Sequence, residues 1–444
     1  MNRLVILFGL AFLLNSNIAS ATEIKAGAAK ISITPTTPMW LTGYAGREKP
    51  ATGSLHEIWA KALVIEENKN SRVIFVTTDL LGLSHEIVEE VYKRLHHKYG
   101  IERAQLILNA SHTHAGPVVW PCLDGIFDFN LVDQGTVVSY TRELTNNIEK
   151  VVVMAMENVA PAKLYNGHGT AGFAINRRNL RENNTNGSID HDVPVVKVAT
   201  PQGKVLAVLF GYACHNTTMV DDNYLFSGDY AGFAQIEVEK NNPGAVALFL
   251  MGCGGDQNPD PRGTAALAAK YGKELADAVQ HTMAGKMKSL DAPVRTSYVK
   301  TVLNFRPFDL TMYQKEVTGD NKFFQRRAKL MLEAYNKGWD VSEFSYPVQA
   351  VRFGNEFTIL ALSGEVVVDY SLRTKKEFAK ENIYVAGYCN ETTCYIPSKR
   401  VLKEGGYEAD ESMVYYGLPG PFADDVEERI FKTIRQVLKS AGVK

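Results

Sequence analysis

The sequence predicts an α/β fold: mixed, largely parallel sheets flanked by helices, in a single large catalytic domain. Six short apolar runs end abruptly in polar residues, the pattern of buried strands whose C-terminal ends open into loops. Amphipathic periods with helical spacing alternate with those runs. No internal repeat, low-complexity tract or linker divides the chain.

In chain order, Met1, Asn2 and Arg3 precede an apolar run from Leu4 to Leu14, which closes on the small residues Ala19, Ser20 and Ala21. This reads as a signal peptide over residues 1–21, cleaved near Ala21. The run is shorter than the ~20 apolar residues of a spanning helix, and no later segment is long and apolar enough to be one. Residues 22–444 are therefore expected to form the mature domain, secreted or periplasmic and without a transmembrane segment.

The expected strands follow. Val73–Thr78 runs into Asp79, Gln105–Ala110 into Ser111 and His112, and Val205–Ala213 into Cys214 and His215. Ala245–Met251 leads to a glycine-rich turn, Phe357–Leu362 to Ser363, Gly364 and Glu365, and Ile383–Tyr388 to Cys389 and Asn390. Between them, Ile87, Val88, Val91 and Leu95 define one helical stripe, Tyr140, Leu144, Ile148 and Val152 a second, and Leu267, Tyr271, Leu275 and Val279 a third. A last helix is expected near residues 425–441. In such sheets the loops beyond the strand C-termini converge on one crevice, so residues distant in sequence can share a site.

Composition narrows the function. With 45% hydrophobic and 22% charged residues, the chain suits a folded enzyme. Lys plus Arg number 48 against 49 for Asp plus Glu, so no net field favours nucleic acid or an anionic membrane. The expected partner is a small amphiphilic molecule, one that could be met at a membrane surface. Five scattered cysteines, Cys122, Cys214, Cys253, Cys389 and Cys394, show no paired CxxC spacing and no disulfide framework.

Four segments could carry chemistry. In Ser111–Pro117 (SHTHAGP), His112 and His114 stand two apart after a strand, so both imidazoles can point the same way and begin a zinc site. A structural histidine pair is the bland alternative. His215 occupies the equivalent strand end in Gly211–Met219, where a satisfied core histidine is the competing reading. Glu365 lies between a buried strand and a helix, where it could be a ligand or simply a carboxylate favoured by the helix dipole. Met251–Gly263 is too rich in Gly and Pro for an ordinary connection; it lacks both the P-loop ending and the GxSxG nucleophile elbow.

With these segments in order, the chain resembles the catalytic domain of the neutral, non-lysosomal ceramidases from about Ala26 to Phe422. The motifs that carry the resemblance are AGAAKISITP, LTGYAG, VTTD, SHTHAGP, AINR, CHNTTM, SGDYAGFAQ, GGDQNP, LSGE, GYCNETTCYI and GGYEA. The resemblance implies four Zn2+ ligands: His112, His215, Glu365 and Tyr395. It also implies that His114, Arg177 and Tyr407 contact a scissile amide, with metal-activated water as the attacking group. Asp79 and Asp229 are expected to orient the ligating histidines, or else to cap helices.

The sequence departs from that family twice. Where the family reads GDVSPN, with a serine assigned as nucleophile, this chain carries Asn258, whose amide cannot attack but could hydrogen-bond substrate or water. Residues 423–444 have room only for a helix, where the family appends an immunoglobulin-like domain. Both departures loosen the implied link to ceramide itself: the expected substrate is ceramide or a related N-acyl lipid, with a non-lipid N-acyl compound such as an amino sugar as the alternative. A non-catalytic extracellular metal- or ligand-binding protein is the reading from another class. A metal-dependent amidohydrolase barrel fits less well, because the remaining histidines do not follow that series. Phe323, Phe324, Tyr335, Trp339 and Phe344 could line an acyl pocket or belong to the core.

Overall fold

The computed structural model describes residues 23–123, 126–180 and 187–444, so the expected signal peptide lies outside the described residues. Three sheets are each built around one β-α-β unit. The first runs in the order Leu106–Ala110, Ser71–Thr78, Trp59–Asn68, Lys25–Ser32, Ala160–Pro161. Its parallel pair, Ser71–Thr78 with Leu106–Ala110, is joined through helix His85–Tyr99. That helix starts where the Ser84 hydroxyl accepts the Ile87 N–H and stops at Gly100 in the left-handed conformation.

The second sheet is ordered Val246–Met251, Val205–Tyr212, Asp192–Ala199, Lys163–Thr170, Lys288–Leu290. Helix Asp229–Asn241 links its parallel pair, Val205–Tyr212 with Val246–Met251. The third is ordered Val294–Asn304, Glu343–Phe353, Phe357–Leu362, Ile383–Ala386, and helix Asp369–Glu377 links the last two strands in parallel. The expected last helix is Val426–Ser440.

The α/β class with helix-flanked mixed sheets holds, and the expected weight of parallel pairing is corrected. Beyond the three parallel pairs, all other ladders of these sheets are antiparallel. The six apolar runs seen in the sequence are the strands of the parallel pairs, which are buried on both faces. Their antiparallel neighbours return through short turns, such as residues 69–70 between Trp59–Asn68 and Ser71–Thr78. Strands such as Lys163–Thr170 keep exposed positions and so show no continuous apolar run.

Each sheet has one face covered by helices and the other turned to a common centre. Ile87, Val91, Leu144 and Val152 cover the first sheet, and Tyr230, Ala234, Leu275 and Val279 the second. Ile430, Ile434 and Val437 cover the third. The central core draws Phe75 and Ile107, Leu209 and Leu250, and Val351 and Ile359 from the three sheets in turn. Gly27 lets helix Leu131–Glu157 lie directly on strand Lys25–Ser32, because a Cβ there would run into the Ala155 carbonyl. Gly27→Ala is expected to destabilise the protein by about 1–3 kcal/mol through overpacking, read as a lowered urea midpoint at unchanged m-value.

The strand ends of the three units meet. Asn109 bridges Cys389, Gly252 bridges Ala386, and Thr113 bridges Asn216. All five cysteines are buried. Among the described residues no helix is long and apolar enough to cross a membrane.

Candidate metal centre

His112 follows strand Leu106–Ala110 with φ 63°, a region sparsely used by residues other than glycine. Its backbone N–H donates to the Leu80 carbonyl at 2.9 Å and its ring Nδ1 to the Leu81 carbonyl at 2.7 Å, which fixes the ring over the strand ends. His215 follows strand Val205–Tyr212, and its Nδ1 donates to the Gly254 carbonyl at 2.6 Å. Glu365 follows Gly364, whose φ of 76° and closeness to the Cys394 carbonyl (2.7 Å from an added Cβ) restrict the position to glycine. A short parallel ladder sets Glu365 opposite Tyr395.

One side chain from each sheet therefore reaches a single point. The Nε2 atoms of His112 and His215 lie 3.1 and 3.2 Å from the same Glu365 Oε2, and the Tyr395 hydroxyl lies 3.1 Å from His215 Nε2. All four residues are buried. Burial first, and then the Arg177 guanidinium, push the His215 imidazole down to about 4. Burial alone would raise the Glu365 carboxyl, but His112 and His215 outweigh it and hold it well below the usual carboxylate range.

The proton inventory explains what this donor set fits. A carbonyl can only accept, so Nδ1 of each ring carries the proton and a neutral ring presents the Nε2 lone pair. Two lone pairs and an ionised carboxylate then face one another in the interior. Acceptors set against acceptors at 3.1–3.2 Å lack the positive charge that would hold them, and a divalent cation supplies it. His114 joins the group: its Nε2 lies 3.2 Å from His112 Nε2, and the ligand atoms of His112, His114 and His215 all lie within 4.8 Å of one another. Burial, with His112 and His215 nearby, holds the His114 imidazole well below its ordinary range.

Around this cluster sit the other residues singled out in the sequence. Arg177 Nη2 donates to the Tyr395 hydroxyl at 3.2 Å, and its guanidinium lies 5.5 Å from the ring centres of both Tyr395 and Tyr407. Asn258, in the short strand Gln257–Pro259, accepts from Arg177 Nη1 at 3.4 Å. Tyr407 and His114 line a chamber of about 180 Å³ that also exposes His112, Glu365 and Tyr395. Two larger hollows elsewhere on the surface share no residue with the cluster.

Two expectations are corrected. Asp79 and Asp229 do not orient the histidines: Asp79 accepts from Trp59 N–H and Gln235, and Asp229 from Met219 and Tyr230 N–H. Main-chain carbonyls already satisfy the two Nδ1 protons, so no carboxylate is needed there. Phe324, Tyr335 and Trp339 are exposed, whereas Phe344 packs against the third sheet's core and also lines a cavity that adjoins the chamber. Phe323 touches the chamber only indirectly, through Tyr415.

Three residues escaped the sequence reading. Glu408 accepts from Arg177 Nε at 2.7 Å and also pairs with Arg178, which fixes the direction of the Arg177 fork. The Tyr416 hydroxyl donates to Glu365 Oε1, leaving Oε2 for the histidines. Arg47 donates to the His114 carbonyl at 2.7 Å. Glu408 is the one with a sequence signal, since it adjoins Tyr407.

Because burial pushes the His215 imidazole down to about 4 and the neighbouring histidines hold Glu365 well below the usual carboxylate range, protons compete weakly with a cation at these two groups. Bound metal is expected to survive dialysis at pH values well below the ordinary histidine value of about 6.5 and to be released as the pH approaches about 4. Metal content after dialysis across that range checks this; half-release near 6.5 would refute it.

A family model described as neutral/alkaline non-lysosomal ceramidase, N-terminal, matches residues 24–296. Neutral ceramidase B of Dictyostelium discoideum is 27% identical over 246 residues, covering 50% of this chain and 33% of that protein. The neutral ceramidase of Pseudomonas aeruginosa is 27% identical over 254 residues, covering 53% and 37%. The matched stretch thus spans about a third of the length of these curated relatives. The crystal structure of the P. aeruginosa neutral ceramidase superposes with a TM-score of 0.73 at 19% identity, covering 95% of this chain and 74% of that one, a likeness of fold.

Proposed function

The chain belongs to the neutral/alkaline non-lysosomal ceramidase family, and from that premise we propose that it is a secreted zinc-dependent hydrolase cleaving the amide bond of an N-acylated substrate. Residues 1–21 act as the signal peptide and residues 22–444 as the hydrolase domain. The observation that carries the reading is the convergence of two imidazole lone pairs and one ionised carboxylate oxygen at the wall of a chamber.

His112, His215, Glu365 and Tyr395 would hold the metal. Zinc in such a site supplies Lewis acidity and a water activated near neutral pH. The chain's own residues do the rest. Arg177, held by Glu408 and donating to the Tyr395 hydroxyl, is the cation that would stabilise the negative charge an amide oxygen gains. His114, neutral and facing the chamber, and the Tyr407 hydroxyl are the groups able to pass a proton to the leaving amine. Asn258 accepts from Arg177 and so holds the donor fork rather than attacking. A donor set of His112, His114 and His215 is a second reading, favoured by the nearness of the three rings.

The test is amine release from a panel of N-acyl lipids and N-acyl sugars by protein stripped of metal and reloaded with zinc. Turnover restored by zinc is expected. Stoichiometric metal without turnover on any member would favour the non-catalytic binding alternative. Asn258→Ala is expected to keep measurable turnover; complete loss in a folded variant would defeat water as the attacking group. Retention of metal in His114→Ala, with loss in Tyr395→Phe, separates the two donor sets.

A further inference from the structure

His114 is held differently from the two histidines that face Glu365. His112 and His215 each donate from Nδ1 to a main-chain carbonyl, whereas His114 Nδ1 has no hydrogen-bond partner among the described residues. Its Nε2 faces His112 Nε2 at 3.2 Å, an atom that would belong to the metal. The ring thus lacks a polar anchor of its own, although a displacement of ~1 Å at a reacting group can cost about 10²-fold in rate.

Packing supplies the anchor. Val118 N–H donates to the Trp40 carbonyl and Thr42 N–H to the Gly116 carbonyl, and beyond Thr42 the chain folds back over the imidazole. Gly43, with φ 93°, lies flat on the ring: a Cβ there would stand 2.5 Å from His114 Nδ1. The Tyr44 ring centre lies 4.8 Å from that of His114. Arg47 closes the turn. Its Nη1 donates both to the Thr42 carbonyl and to the His114 carbonyl, and its guanidinium lies 5.0 Å from the Tyr44 ring centre.

Arg47 is only 5% exposed, its hydrogen bonds among the described residues go to carbonyls, and its Nε and Nη2 have no partner. A buried cation without a carboxylate is destabilising, and a tie between two carbonyls needs only a neutral donor. The arginine adds a single long side chain that spans both carbonyls and also covers the face of Tyr44.

We infer that Arg47 is a positioning residue for His114, closing the Gly43–Tyr44 turn on an imidazole without a polar anchor and so fixing where its proton is delivered. This rests on the amidase reading above and on the part His114 takes in it.

The experiment uses the zinc-loaded full chain and whichever N-acyl lipid or sugar of the panel it turns over fastest. Arg47→Met is expected to lower kcat at least about ten-fold, with KM and metal content close to the parent's. Both hydrogen bonds leave from one nitrogen, so an ammonium over the same ring can replace them, and Arg47→Lys should stay within about three-fold of the parent. Gly43→Ala, which pushes on the ring without touching Arg47, should reproduce the loss and decides the matter if Arg47→Met does not fold. In a His114→Ala background, Arg47→Met should cost nothing further, as for residues that act as one. Unchanged kcat in either folded variant, a lysine variant as slow as the methionine one, or an equal loss with and without His114 overturns this inference and leaves the amidase reading intact. Metal lost in step with rate also overturns it and supports the three-histidine donor set. No turnover by the parent chain on any member of the panel defeats both.

Discussion

Alanine at His215 or Glu365 is expected to weaken metal binding by more than about 100-fold, beyond the 10–100-fold typical of losing a group that merely orients a ligand. Each change removes one of the atoms that converge at 3.1–3.2 Å. Among the described residues Glu365 is the carboxylate that faces both rings, so its loss would leave the imidazoles without a charge partner for the cation. The His215 variant leaves buried Glu365 with His112 and the Tyr416 hydroxyl beside it. Metal content after purification and chelator competition on folded protein measure the effect. Unchanged zinc in either variant would defeat the proposed donor set.

Arg177→Met is expected to lower kcat/KM by about 10²–10³-fold while metal content stays close to that of the parent, the cost typical of removing a preorganised donor from a developing oxyanion. The side chain is held from behind by Glu408 and faces Tyr395 and Asn258. Arg178 still pairs with Glu408, so the variant does not strand that carboxylate. Arg177→Lys keeps the charge without the planar fork and should recover only part of the rate. Equal loss of metal and activity would make Arg177 a support for the ligands instead.

The sequence exposed the parts of this fold whose burial is continuous along the chain. Phe75, Ile107, Leu209, Leu250, Ile359 and Val385 sit in unbroken apolar runs, because parallel strands are covered on both faces. Strand Val294–Asn304 is only partly buried along most of its length and spells no such run. Within the site, His112 and His215 were legible from their strand ends, whereas Glu365 and Tyr395 came with the family resemblance. The partners that hold the histidine rings were invisible for a plain reason. Leu81 and Gly254 contribute carbonyl oxygens, which any residue possesses. Tyr416 and Glu408 act across long stretches of chain on residues that give no local hint of them.

The meeting of three sheets at one point has a consequence for the order of folding. His215 and Tyr395 touch across 180 residues of chain, and closing such loops costs entropy before any contact rewards it. A chain with two sheets docked owns only part of the proposed set of His112, His215, Glu365 and Tyr395. On the proposed donor set, metal affinity would belong to the finished molecule. By mass action a bound ion would stabilise that state over every partly assembled one, acting as the last fastener of the junction and not as a nucleus for it.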